Sequence, residues 1–170
     1  GSMDRRFFNK LGATQLDRGP FCGAVRGMAY TSLFGSSPGM PPEQMTEADV
    51  IAVWGNNVTV SNLHLARVIK SARDQGAKLV VVDPKRTRIA KQAHLYLQIK
   101  PGTDVVLAMA LACELESRGA FDEAFIETWV KDRDIFMQQA SQYPIIEMLK
   151  ICGISADQFH QLVDLYANAK

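Results

Sequence analysis

The chain is poor in cysteine: Cys22, Cys113 and Cys152 lie far apart, with no C-x-x-C pair among them. That spacing excludes a cysteine zinc knuckle or a cysteine-held iron–sulfur cluster within the segment, and it fits a reducing compartment. No apolar run approaches the roughly eighteen residues that a membrane-spanning helix needs. Charge of one sign is also lacking, with 19 Lys and Arg against 18 Asp and Glu. No overall field is present to draw in nucleic acid or an anionic membrane, so neither nucleic acid nor membrane insertion is expected. Two phosphate-binding fingerprints are absent too. Without G-x-G-x-x-G or G-x-x-x-x-G-K-[ST], ordinary nicotinamide, flavin and NTPase sites lose ground. Internal repeats and low-complexity segments are missing as well.

What is present fits one sizeable core, since 170 residues with 47% apolar and 22% charged side chains are too few for two full ones. Residues 1–3 (Gly1, Ser2, Met3) read as a cloning scar, and residues 4–170 as a single α/β domain. Arg5-Arg6-Phe7-Phe8-Asn9-Lys10 is similar to a twin-arginine export signal, but Gln15, Asp17 and Arg18 interrupt the apolar stretch that must follow. This chain is therefore expected in the cytoplasm, with a periplasmic parent compatible with it.

Residues 35–42, rich in proline, glycine and serine, predict a loop. Val50-Ile51-Ala52-Val53-Trp54 is an unbroken apolar run of strand length ending at Gly55. From residue 61 to 75, Leu65, Ile69 and Ala72, with Ala66 beside them, recur at helical spacing before Gly76. Leu79-Val80-Val81-Val82 is a second β-branched strand, ended by Asp83-Pro84 because proline cannot donate to a ladder. Strand, helix and strand in this order make a parallel βαβ unit. Residues 95–99 form a third candidate strand. Thr103 is placed to cap a helix over 104–117 that stops at Gly119, and Ser155 with Gln158 forms a capping-box pattern before Phe159, Leu162, Val163 and Tyr166. The expected architecture is a Rossmann-like three-layer α/β sandwich with a mostly parallel sheet and a helical C-terminal third.

In parallel sheets ligands sit beyond the carboxyl ends of the strands. After the first strand come Gly55, Asn56, Asn57, Thr59, Ser61 and Asn62: a glycine, amides and hydroxyls leading into a helix start, a combination suited to phosphate. Turn geometry at Asn56 and Asn57 and a helix cap at Ser61 would account for the same residues. After the second strand, Asp83 could accept from a ribose hydroxyl, and Lys85, Arg86 and Arg88 could meet phosphate, or could form a solvated basic turn. After the third, Asp104 could favour a helix dipole or read a base. A carboxylate accepts from two adjacent N–H donors, which guanine offers and adenine does not.

Together these residues resemble the molybdopterin oxidoreductases of the dimethyl sulfoxide reductase and formate dehydrogenase type, over nearly the whole chain. Trp54-Gly55-x-Asn57 with Asn62 and His64 resembles that family's W-G-x-N-P…N-x-H turn; Asp83-Pro84-Lys85-Arg86-Thr87 resembles D-P-R-x-T; Pro101-Gly102-Thr103-Asp104 resembles P-G-T-D. Val58 departs from the pattern where proline is usual, and His94 where an acid is common. The resemblance implies a molybdopterin guanine dinucleotide carrying molybdenum or tungsten. Its guanosine and phosphates would be held by Trp54, Gly55, Asn56, Asn57, Ser61, Asn62, Asp83, Pro84, Arg86, Thr87, Gly102, Thr103 and Asp104. It also implies a role for Cys22, in Cys22-Gly23-Ala24-Val25-Arg26-Gly27, as the metal's thiolate ligand.

Family enzymes are several times longer, so the chain reads as an internal fragment, inactive alone. Its partners are then the remaining domains of the parent enzyme, where an iron–sulfur cluster would lie, and electron-transfer subunits. The alternatives are a non-catalytic relative, as in the large iron–sulfur subunit of respiratory complex I, and a stand-alone guanine-nucleotide-binding domain. Cys22, Asp83 and Asp104 together favour the enzyme. His64 is expected on a helix surface, His94 in a structural role, and Cys113, Cys152, Phe125, Ile126 and Trp129 in packing.

Overall fold

A computed structural model describes residues 2–14, 23–36 and 39–169. The chain divides into two compact units, residues 1–40 and residues 41–170. In the first, helix α1 (Ser2–Lys10) carries Asp4 in its first turn and Lys10 in its last, both favourable to the helix dipole. Helix α2 (Gly23–Phe34) buries none of its side chains and exposes Val25, Met28, Leu33 and Phe34.

The second unit is built on three parallel strands in the order β1 (Val50–Trp54), β2 (Lys78–Val82), β3 (Leu95–Leu97). Their register sets Val53 beside Val81 and Val81 beside Tyr96, so β2 is the central strand. Because side chains alternate across a strand, each face gathers its own core. On one face Ile51, Val53, Leu79 and Val81 pack with Ile69 and Ala72 of helix α4 (Leu63–Asp74) and with Val58, Ile89 and Ala90. On the other, Val80, Val82, Leu95 and Leu97 pack with α5 (Asp104–Ser117), α8 (Ile145–Cys152) and α9 (Ala156–Ala167). This is the expected three-layer arrangement with a parallel sheet and a helical C-terminal part. Edge strand β1 is covered unevenly: Ile51 and Val53 are buried, whereas Ala52 on the opposite face is exposed.

The helix expected over 61–75 is α4, which begins two residues later, at Leu63. A single turn, α3 (Val58–Ser61), precedes α4, and the extended backbone of Asn62 (φ −150°, ψ 79°) separates them. Val58 is fully buried at the first position of α3, a position that favours proline, so this departure from the family pattern adds apolar core there. The third strand stops at Leu97, two residues before the expected end.

The packing expected of Phe125 and Trp129 is not observed. Both belong to the seven-residue helix α6 (Glu123–Trp129), and they are 56% and 73% exposed. Ile126 is half-buried on the same helix. Cys152 lies in the core as expected, while Cys113 is half-buried. Between α6 and α8 lies α7 (Arg133–Ala140), which buries Met137 and Ala140.

The capping box at α9 forms as expected, with Ser155 Oγ accepting from the Gln158 amide and Gln158 Oε1 accepting from the Ser155 amide. Ser155→Ala should therefore cost about 1 kcal/mol. That corresponds to a fall of roughly 4 °C in Tm. Calorimetry checks it, and an unchanged Tm would show that the cap carries no stability.

Candidate functional site

The three loops singled out in the sequence leave the sheet at its carboxyl edge, and backbone hydrogen bonds hold them in a row. The amide of Gly55, just past β1, donates to the Val82 carbonyl at 2.8 Å, and the amide of Asp83, just past β2, donates to the Leu97 carbonyl at 3.2 Å. One side-chain bond then closes the row: Trp54 Nε1 donates to Asp104 Oδ1 at 2.6 Å, joining residues fifty positions apart. Trp54 is half-buried against the core beneath α5, whereas Asp104 is exposed at the start of that helix.

The first loop is an amide and hydroxyl network. Thr59 Oγ1 donates to Asn57 Oδ1 at 3.0 Å, and Ser61 Oγ lies 3.0 Å from the Asn57 carbonyl and 3.4 Å from Asn56 Oδ1. The cap of α4 is Asn62, whose Oδ1 accepts from the Leu65 amide at 3.1 Å, and not Ser61. Asn56 and Asn57 stand at the turn with Gly55, whose φ of +60° is in the left-handed region that favours glycine. Gly102 holds the same conformation at the third loop, with φ +81°. A Cβ added at either glycine meets nothing within 4 Å, so the space over both turns is open.

In the second loop Asp83 is buried, and its Oδ1 accepts from the Lys85 amide at 2.7 Å, which turns the chain. Thr87 is buried, and its Oγ1 accepts from the Ala90 amide at 3.4 Å, so its hydroxyl shapes the chain beyond the loop. Pro84 is exposed. The side chains of Lys85, Arg86 and Arg88 are exposed and make no hydrogen bond or ion pair among the described residues. In the third loop Thr103 occupies the cap position but supplies no side-chain cap; its hydroxyl donates to the Lys100 carbonyl at 2.7 Å. The opening amides of α5 thus lack the cap expected from the sequence.

Two residues that sequence reasoning missed hold the second loop from β3 and just beyond it. Tyr96 Oη donates to the Asp83 carbonyl at 3.0 Å, and Gln98 Nε2 donates to the Pro84 carbonyl at 2.9 Å. Burial first, and then the nearby Asp83 carboxylate, push the Tyr96 phenol above its ordinary value, which keeps it a donor. The signal was present as polar side chains alternating with Leu95, Leu97 and Ile99.

His94 has the structural role expected of it: its Nδ1 accepts from the Leu79 amide at 2.9 Å. Burial, followed by Lys78 and Arg73, holds its pKa below the ordinary value, consistent with a neutral acceptor. His64 is exposed on α4. The proposed metal ligand Cys22 lies outside the described residues, and among those described no three His, Cys, Asp or Glu side chains group to hold a metal.

The arrangement offers adjacent carboxylate oxygens, amides, open space above two turns and cations without partners among the described residues. Acceptors, amide donors and positive charge thus lie along one edge of the sheet.

Comparison with known proteins bears on what this edge serves. A family model described as molybdopterin oxidoreductase matches residues 5–167. A probable oxidoreductase, YoaE, of Bacillus subtilis (strain 168) is 31% identical over 164 residues, covering 96% of this chain and 24% of the relative. The F420-dependent formate dehydrogenase subunit alpha of Methanocaldococcus jannaschii is 33% identical over 128 residues, 75% of this chain and 19% of the relative. Among solved structures, acetylene hydratase from Pelobacter acetylenicus superposes with a TM-score of 0.64 at 21% identity, over 95% of this chain and 22% of that one. The chain thus spans a quarter or less of the length of these proteins. With the family model matched from one end of the chain almost to the other, the three loops sit in a chain that belongs to the molybdopterin oxidoreductase family.

Proposed function

We propose that this chain holds the guanosine and phosphate part of a molybdopterin guanine dinucleotide within a molybdenum- or tungsten-dependent oxidoreductase. The observation that carries the reading is the joining of the first and third loops through Trp54 and Asp104, with cations on the loop between them that lack partners among the described residues. In this reading Asp104 accepts from guanine, Asp83 with its turn faces the ribose, and Arg86 meets phosphate. Gly55 and Gly102 keep the backbone open for close approach, while Asn56, Asn57 and Ser61 present polar groups at the first turn. Cys22 is the thiolate ligand proposed for the metal.

The bound metal and pterin supply the two-electron or atom-transfer chemistry; the residues here bind and orient. A formate dehydrogenase subunit is similar to this chain in sequence and an acetylene hydratase in fold, although their names denote different reactions, which supports a role in holding a common group rather than a particular substrate. The chain alone is expected to be inactive.

Calorimetric titration of the chain with GDP and ADP tests the reading. Affinity should be weak, because the chain spans only a quarter of the relatives' length and few walls enclose the ligand. GDP should bind more tightly than ADP, and Asp104→Ala should lose about tenfold for GDP and little for ADP. Absence of GDP binding by wild type and variant alike would overturn the proposal and favour a non-catalytic relative that lacks the pterin.

A further inference from the structure

We propose that Trp54 is a positioning residue that sets guanine specificity by fixing the Asp104 carboxylate, an inference that rests on Asp104 being the guanine acceptor. An exposed aspartate at a helix start would ordinarily rotate, spreading its acceptors over many directions. Here one oxygen is held at 2.6 Å by the indole N–H of Trp54. That indole is a donor only, so it cannot flip and offer an acceptor in place of the N–H. Its ring is half-buried and packed against the core under α5, which anchors the donor to the sheet rather than to solvent.

A carboxylate has roughly four lone-pair sites. One donor on Oδ1 leaves Oδ2 and the second site on Oδ1 available side by side. Guanine presents a matching adjacent pair, its ring N–H and its exocyclic amine. Inosine retains only the ring N–H, and adenine lacks the pattern. Trp54 would therefore act through Asp104, without touching the base itself.

Trp54→Phe keeps the aromatic packing and removes the N–H. The expected result is a fall of about fivefold to tenfold in the preference for GDP over IDP, with ADP affinity unchanged. A Trp54 with only a structural role would weaken all three nucleotides together, or none. A second measurement needs no ligand. The chain has two tryptophans, so in a Trp129→Phe background the indole N–H resonance belongs to Trp54 alone. It should lie downfield and move upfield in Asp104→Ala. An unmoved resonance, or an unchanged GDP-to-IDP ratio in Trp54→Phe while wild type still selects GDP, would overturn this inference and leave the guanine reading standing. Failure of wild type to distinguish GDP from ADP would overturn both.

Discussion

Val81→Asp is expected to lower the unfolding free energy of the α/β unit by about 4 kcal/mol or more, enough to abolish or strongly weaken its cooperative transition. Val81 is fully buried on the central strand, paired with Val53 on one side and Tyr96 on the other, and it packs on the face covered by α4. The fully buried side chains of that core, among them Ile69, Ala72 and Ile89, carry no donor for a carboxylate, and the hydroxyl of Tyr96 at its margin already donates to the Asp83 carbonyl. The new acid would either stay protonated at a cost or open the sheet to water. Ala52→Asp provides the control, because Ala52 lies on the neighbouring strand and is exposed. Its cost should stay within about 1 kcal/mol, mostly from the lower strand propensity of aspartate. Guanidinium melts followed by circular dichroism would separate the two. Equal midpoints would show that the face assignments, and with them the three-layer core, are wrong.

Those face assignments show what was legible in sequence and what was not. β1 and β2 were readable because short β-branched runs bounded by glycine or proline rarely form anything but strands, and the spacing of Leu65, Ile69 and Ala72 required a helix between them. The start of that helix was not readable. Ser61 and Asn62 are both good caps side by side, and only the backbone at Asn62 decides between them. Trp129 and Phe125 were misread because apolar character identifies a side chain that gains from burial without showing that anything in the chain covers it.

At the candidate site the loops were foreseeable from a general property of parallel sheets, since each ligand-facing turn follows its strand directly in sequence. The contacts that organise them were not. The Trp54–Asp104 bond spans fifty residues, and the Tyr96 and Gln98 bonds depend on β3 lying beside β2 in one register. A shift of one residue would turn both polar side chains to the opposite face. The sequence carried the donors but no information on their register.

Arg86→Ala is expected to weaken GDP binding by about tenfold to a hundredfold and to leave guanosine binding unchanged, given the proposed role of this loop. A hydrogen bond to a charged group is worth about 1.5–3 kcal/mol, which corresponds to that range. Arg86 is exposed and has no hydrogen-bond or ion-pair partner among the described residues, so no existing pairing must break before it meets phosphate. The backbone leading into it is already held: the Lys85 amide turns onto the buried Asp83 carboxylate, and Tyr96 and Gln98 grip the carbonyls of Asp83 and Pro84. A loop fixed in this way loses little entropy when the ligand arrives, which raises the share of the ion-pair energy that appears as affinity. Arg86→Lys should fall between wild type and alanine, because it keeps the charge and loses the planar fork that matches phosphate oxygens. Titrations with GDP and guanosine at two ionic strengths provide the check. The GDP affinity of wild type should decline with salt more steeply than that of Arg86→Ala. If alanine weakens both ligands alike, the basic turn acts through stability and not through phosphate; if it weakens neither, Arg86 belongs to an ordinary solvated turn.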